Sequence, residues 1–192
     1  EIWGKPLIAY TIEASKQCKY IDKTIVSTED KLIKEIALKY GAEVMDRPLD
    51  LASDDAKTEP VMLHVVSELE KNNEEFDNIV LLQATSPLRK AKDIDAAFEQ
   101  YLKEKTDSLV SVTEEFRLYW KDGKPLNYSL DSYMARPRLS PGFMEPMLKE
   151  NGAIYICKKD VLVKNKNRLG GKISVFKMSD ETEIELDTRT DW

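Results

Sequence analysis

The run Asn78-Ile79-Val80-Leu81-Leu82-Gln83-Ala84 narrows the choice of fold more than any other segment. Its continuous apolar character suits a strand buried on both faces, not one with a wet side. The segments around it switch period repeatedly. Residues 6–17 place Leu7, Ile8, Tyr10 and Ile12 at helical spacing, with Pro6 in the first turn. Residues 23–27 are a short β-branched run. Leu32, Ile33, Ile36, Ala37 and Tyr40 form a second helical face that ends at Gly41, and Ser27 followed by Asp30 resembles a capping-box start. A short strand over 42–45 and a turn-rich loop over 46–57 follow. Thr58 is suited to cap a helix that carries Met62, Val65, Val66 and Leu69 inward. Further on come a helix over 93–103, strands over 108–112, 152–157 and 172–178, and a short helix over 159–165. This alternation predicts an α/β fold with a doubly wound, mostly parallel sheet covered by helices on both faces.

The alternation breaks over 114–150, where Pro125, Pro137, Pro141 and Pro146 stand among many aromatic residues. An insertion is expected there, with Asp122-Gly123 as a hairpin turn, on a single domain spanning 1–192. Charge narrows the function. The 29 Lys and Arg against 35 Asp and Glu give a net charge of −6, which argues against a nucleic-acid-binding surface. No apolar run reaches the roughly 18–20 residues needed to cross a bilayer, so no membrane partner is expected. Cys18 and Cys157 match no paired motif, and a reducing cytoplasm is the natural reading. With His64 as the single histidine, His-based triads and most zinc sites are out of reach.

Ligands of open α/β sheets bind beyond the carboxyl ends of the strands. Gln83-Ala84-Thr85-Ser86-Pro87-Leu88-Arg89 puts an amide, two hydroxyls and a cation at such an end. It is either a sugar-reading loop or a polar turn. Arg47, after the strand over 42–45, suits a base, ribose or phosphate, or an ion pair with Asp46 or Asp50. Residues 183, 185 and 187 fall on one face of a strand, so Glu183, Glu185 and Asp187 are either Mg²⁺ ligands or a solvated acidic edge. Arg136-Pro137-Arg138 is either a carboxylate- or phosphate-binding pair or surface charge. Asn151-Gly152 stands directly before a strand.

Leu81-Leu82-Gln83-Ala84-Thr85-Ser86-Pro87-Leu88-Arg89 resembles the signature of the acylneuraminate cytidylyltransferases, the CMP-sialic acid synthetases. Gly4-Lys5-Pro6-Leu7-Ile8, Val26-Ser27-Thr28-Glu29-Asp30, Arg47-Pro48, Arg136-Pro137-Arg138, Asn151-Gly152-Ala153-Ile154-Tyr155-Ile156, Leu186-Asp187-Thr188 and Asp191-Trp192 are similar to family segments in the same order. The resemblance implies a nucleotide-diphospho-sugar transferase-like fold whose insertion over 114–150 serves dimerisation. It implies a cytoplasmic, Mg²⁺-dependent homodimer that joins CMP from CTP to the anomeric hydroxyl of a sialic-acid-like nine-carbon sugar, releasing pyrophosphate. Gln83, Thr85 and Ser86 would touch the sugar, Asn151 and Tyr155 would line its pocket, and Arg138, from the neighbouring subunit, would hold its carboxylate. Arg47 and Thr58 would lie at the cytidine. Asp187 would bind Mg²⁺ with Glu185 beside it, where the family usually has Asp. Catalysis would rest on Asp187, Arg138 and Gln83. Legionaminate, pseudaminate or an ulosonate are alternative sugars, and a non-catalytic nucleotide- or sugar-binding homologue is the alternative of another class. The resemblance also implies a central strand and a basic, Gly-rich phosphate loop ahead of Gly4, and a helix after Trp192, outside these residues.

Overall fold

A computed structural model describes residues 1–130, 138–188 and 190–191. The elements run α1 (Leu7–Gln17), β1 (Ile25–Thr28), α2 (Lys31–Lys39), β2 (Glu43–Asp46), α3 (Thr58–Lys71), β3 (Asn78–Leu81), α4 (Ala91–Glu104), β4 (Ser108–Glu115), β5 (Trp120–Lys121), β6 (Lys124–Pro125), β7 (Met147–Lys158), α5 (Lys159–Asn165) and β8 (Ile173–Lys177). The order and type of the elements agree with the α/β expectation. Strands β3, β4 and β8 run one way and β7 runs against them, in the order β3-β7-β4-β8, while β1 and β2 form a separate parallel pair.

The β3 run shows why its apolar character is continuous. Val80 and Leu82 pack against the cluster under α1 and α4, while Ile79 and Leu81 pack against Met62, Val66 and Leu162 under α3 and α5. Alternate side chains of one strand therefore enter two cores, and helices cover both faces. Helix α1 joins the two sheets. Its Ala14 and Cys18 belong to the α4 core with Ile94, Phe98 and Leu109, and its Ile8 and Ile12 pack on Val26, Ala37, Ala42 and Val44. Before the strands, Lys23 pairs with Glu74 and, at 3.4 Å, with Glu43, which ties the starting ends of β1, β2 and β3 together. Their carboxyl ends are thereby brought to one side. Among the described residues β1 and β3 each keep one edge without a ladder partner.

Local chemistry differs from expectation in three places. Asp30 itself caps α2, its carboxylate accepting from Ile33 N at 2.9 Å; Ser27 lies inside β1. Thr58 is the first residue of α3, and Lys57 stands at the cap without a side-chain bond. Helix α2 buries Ala37 while Leu32 and Leu38 remain 64% and 61% exposed, so the short β1–β2 pair covers only part of its apolar face. The Asp122-Gly123 turn forms: β5 and β6 pair antiparallel across these residues, whose φ values of 50° and 74° suit a two-residue hairpin turn. The β4–β7 ladder runs out as far as Glu115 and Met147 and forms the base of this excursion.

Arg89 is the deepest charge in the fold, only 3% exposed. It donates to the carbonyls of Ala153 at 2.7 Å and Gln83 at 3.2 Å, and to the hydroxyl of Thr11 on α1 at 2.6 Å. Burial pushes its pKa down to about 10, so it stays protonated at neutral pH. Arg89→Met would take the guanidinium donor from the Ala153 carbonyl and the Thr11 hydroxyl, while the Gln83 carbonyl keeps Ser86 N at 3.4 Å. It is expected to cost about 3 kcal/mol or more in urea unfolding, and a variant within about 0.5 kcal/mol of the parent would show that the clamp carries no weight.

Candidate active site

The β4–β7 ladder contains a large irregularity. Val110 pairs with Tyr155 and Val112 with Glu150, so Ser111 alone faces the stretch from Asn151 to Ile154. The Ser111 side chain fills the break: its hydroxyl donates to Asn151 Oδ1 at 2.7 Å and accepts from Ile154 N at 2.8 Å. Bulges of this kind re-aim a strand beside functional sites. Asn151 is fully buried, and its amide nitrogen donates to Thr182 Oγ1 at 3.1 Å. Ser86, also buried, donates to the Asn151 carbonyl at 3.2 Å. Both residues are thus spent on fixing the bulge.

Gly152 sits at the tip of that bulge with φ +63°, a conformation that only glycine adopts without strain. Any Cβ there would collide with the side-chain oxygens of Gln83 and Glu185. Gln83 from the end of β3 and Glu185 from the C-terminal segment therefore converge on one bare stretch of backbone. The acidic residues do not form the strand that alternation predicts. Residues 180–183 make a 3₁₀ turn, and Glu183 pairs with Lys149 at 3.1 Å. The segment beyond lies extended, held by Leu186 N donating to Thr85 O at 2.9 Å. Burial, then Asp187, raises the Glu185 pKa, with Glu150 adding to the effect and Lys149 opposing it. Two carboxylates that repel each other are suited to a hard divalent cation and phosphate oxygens. The described residues contain no group of three or more acidic, His or Cys side chains arranged for a metal, so Glu185 and Asp187 would need ligands from substrate or water.

Other expected residues stand further along the same side. Arg47 follows β2; its guanidinium donates to the Ser27 carbonyl, while its Nε and the Ser27 hydroxyl are buried with no partner among the described residues. Orphaned polar atoms of this kind call for a ligand or water. Thr58 opens α3, half-buried. Tyr155 is 4% exposed, with its hydroxyl on Glu150 at 2.8 Å. Arg138 lies exposed over the Phe143 ring at 4.9 Å, and no contact joins it to Gln83, Glu185 or Asp187 among the described residues. Arg136 and Pro137 fall outside the described residues. Cys18 and Cys157 are buried thiols, both pushed up to about 11 by burial, which suits packing and not nucleophilic attack. An apolar cleft of about 620 Å³ adjoins the loop after β3, lined by Trp3, Tyr10, Pro87, Leu88, Ile184 and Leu186; Arg89 borders it, whereas Gln83, Thr85, Ser86, Glu185 and Asp187 do not. No helix among the described residues is long and apolar enough to cross a membrane.

The cytidylyltransferase family model matches residues 1–136. The chain belongs to the cytidylyltransferase family. It is 32% identical to the N-acylneuraminate cytidylyltransferase of Streptococcus agalactiae serotype V over 98% of its own length, but spans only 46% of that relative. The chain thus covers about half the length of the first curated relatives. It is also 32% identical to the CMP-N,N'-diacetyllegionaminic acid synthase of Legionella pneumophila, over 98% of its own length and 83% of that protein. These relatives bear out the resemblance. Among solved structures, a CMP:2-keto-3-deoxy-manno-octonic acid synthetase complexed with CTP is similar over 99% of this chain and 86% of that one, with TM-score 0.66 at 16% identity. A 4-diphosphocytidyl-2C-methyl-D-erythritol synthase from Anaerococcus prevotii covers 100% of this chain and 87% of its own, with TM-score 0.67 at 12% identity. These two establish the fold, which is that of a cytidylyltransferase.

Ser111 and Glu150 border the bulge of the candidate site, and nothing in the sequence marks them. A serine inside an apolar strand carries no mark of its role, and Glu150 is one acidic residue among many. Two outcomes follow from the geometry. Gly152→Ala should cost about 1–3 kcal/mol in thermal or urea unfolding from backbone strain alone and displace Gln83 or Glu185; an unchanged melting temperature would contradict the crowding. Glu185→Gln removes a carboxylate whose ionisation the fold opposes. A raised folded pKa means stability is lost as pH rises through it, so the variant should melt higher than the parent at pH 8 and converge with it in acid. A gap that widens on acidification would have the wrong sign.

Proposed function

We propose that the protein transfers CMP from CTP to the anomeric hydroxyl of a sialic-acid-like nine-carbon acid sugar and releases pyrophosphate. The convergence of Gln83 and Glu185 on the backbone of Gly152 carries the reading. An amide and a carboxylate brought together over a side-chain-free strand tip offer a polyhydroxylated ligand a donor and an acceptor side by side. Family membership supplies the nucleotide. Its base would lie at the carboxyl ends of β1 and β2, where Arg47 Nε and Ser27 Oγ are buried without partners, with Thr58 close by at the start of α3.

Gln83 would hydrogen-bond the sugar and Thr85 would anchor the loop beneath it. Arg138, brought from a second copy, would clamp the sugar carboxylate with its planar guanidinium. Ser86 and Asn151 would act by holding the bulge rigid, and Tyr155 by closing the pocket's inner wall. As the sugar hydroxyl oxygen forms its bond to the α-phosphorus, its proton passes to solvent water and the bond to the departing pyrophosphate breaks. Asp187 and Glu185 would hold Mg²⁺, which when bound offsets the charge of the triphosphate. Pre-placed donors and a bound geometry would account for most of the acceleration.

A homodimer, built on the 114–150 excursion, is part of the proposal. Trp120, Leu126, Leu130, Leu139 and Phe143 are all largely exposed on it, a density of apolar surface that a partner would cover. A cytoplasmic location fits the buried, reduced thiols. A legionaminate-type sugar is the favoured second reading, because the legionaminic acid synthase is matched over most of its length.

The test is pyrophosphate release by the whole protein with CTP and Mg²⁺, over a panel of N-acetylneuraminate, N,N'-diacetyllegionaminate, pseudaminate and an ulosonate. Sugar-dependent release is expected with a nine-carbon acid. Gln83→Ala should raise the sugar KM about tenfold or more and leave the CTP KM near the parent's. Asp187→Asn should abolish turnover and keep the melting temperature. CTP binding without release for any sugar would point instead to a non-catalytic homologue.

A further inference from the structure

A line of polar side chains runs from the start of α3 to the bulge and takes in residues the functional reading leaves unused. Glu59, in the first turn of α3, pairs with Arg168 in the loop between α5 and β8 at 2.5 Å, and both side chains are only about one-fifth exposed, at 21% and 20%. The Arg168 guanidinium lies over the Tyr155 ring, 4.3 Å from its centroid. Tyr155 donates its hydroxyl to Glu150 at 2.8 Å. Glu150 is in turn close enough to Glu185 to help raise its pKa. The two ends of this line are the residue after Thr58 and the residue before Asn151.

Such a line would add stability wherever it stood, since a half-buried charge pair and a cation over a ring are each worth about a kcal/mol or so. Its position suggests more. Glu150 is paired with Val112 at the last rung before the break opposite Ser111, and no ladder joins this stretch to α3. The side chains of Arg168 and Tyr155 make the connection that the backbone does not. Arg168 Nε is buried without a partner, so one carboxylate and one ring face define where the guanidinium lies.

We propose that Arg168 is a positioning residue: through Glu59 on one side and Tyr155 and Glu150 on the other, it sets the α3 start and the Glu150–Gly152 bulge in one geometry, so that CTP and the acid sugar are held in register. This rests on the functional reading given above. The carboxylate of Glu150 is then held at a fixed place by Tyr155, and contributes to which acid sugars are admitted.

The experiment is steady-state pyrophosphate release by the whole protein and its variants with CTP and whichever of N-acetylneuraminate or N,N'-diacetyllegionaminate the parent uses better. Tyr155→Phe keeps the buried ring under Arg168 and releases Glu150. It should raise the sugar KM about tenfold, the loss of one charge-assisted hydrogen bond, with the CTP KM and kcat within about twofold. Arg168→Met frees both ends and should raise both KM values. Arg168→Lys, which returns a charge to Glu59 without the flat stack, should rescue the CTP KM and not the sugar KM. Variants that lose melting temperature with both KM values unchanged would overturn the inference and leave Arg168 as a stabilising residue only. A parent with no sugar-dependent release would take down the functional reading, and this inference with it.

Discussion

A buried guanidinium without a carboxylate in contact holds the site of this protein together. Arg89 comes from the loop after β3, and its bonds reach the carbonyl at the base of that loop, the carbonyl of Ala153 on β7 and the Thr11 hydroxyl on α1. Asp93 lends it some support from a distance, yet desolvation dominates and lowers its pKa. A charge so placed is expensive unless its protons are used. The partners here are the carbonyls of Ala153 and Gln83 and the Thr11 hydroxyl, while the Arg89 Nε is buried with no partner among the described residues. The loop that carries Gln83 and the strand that carries Gly152 are thereby locked to each other and to the helix that spans both sheets.

Everything at the site leans on that lock. Because Ala153 is pinned from one side by Arg89 and Asn151 from the other by Ser86, Ser111 and Thr182, the buried Gly152 between them is held where the Gln83 and Glu185 side chains can lie directly on its backbone. Gln83 and Glu185 close on it from two separate segments. The packing leaves the carboxylate of Glu185 partly desolvated beside Asp187, a state that a cation or a polar ligand would relieve. The bulge is also where hydrogen bonds between strands stop, and side chains such as Tyr155 must supply what pairing does not.

Much of the fold is legible in the chain because its signals are local. The apolar β3 run, the helical spacing in α1 and α4, and Asp122-Gly123 each specify their element through periodicity or turn chemistry within a few residues. Boundaries and caps are less so: Ser27 and Asp30 both fit a cap by composition, and only the backbone path decides for Asp30. The acidic segment misleads for a related reason. Glu183, Glu185 and Asp187 alternate as in a strand, but a 3₁₀ turn takes Glu183 to Lys149 and one hydrogen bond from Leu186 replaces a ladder. The members of the Gln83–Arg89 run divide in placement: the Gln83 side chain lies over Gly152 beside Glu185, whereas Ser86 and Arg89 are buried supports. Long-range partnerships such as Ser111 with Asn151, or Arg168 with Tyr155, leave no trace in spacing, since they depend on which strands become neighbours.

The central claim is that Gln83, Gly152 and Glu185 form the sugar-binding wall of a cytidylyltransferase. The most direct measurement is the change in backbone and side-chain amide NMR signals of isotopically labelled protein on adding an acid sugar after saturation with CTP and Mg²⁺. The account predicts that the sugar shifts the Gly152 backbone amide and the Gln83 side-chain amide most, with smaller changes toward β1 and β2. Sugar-induced shifts confined to the apolar cleft around Trp3 and Leu186, with Gly152 and Gln83 unmoved, would contradict it.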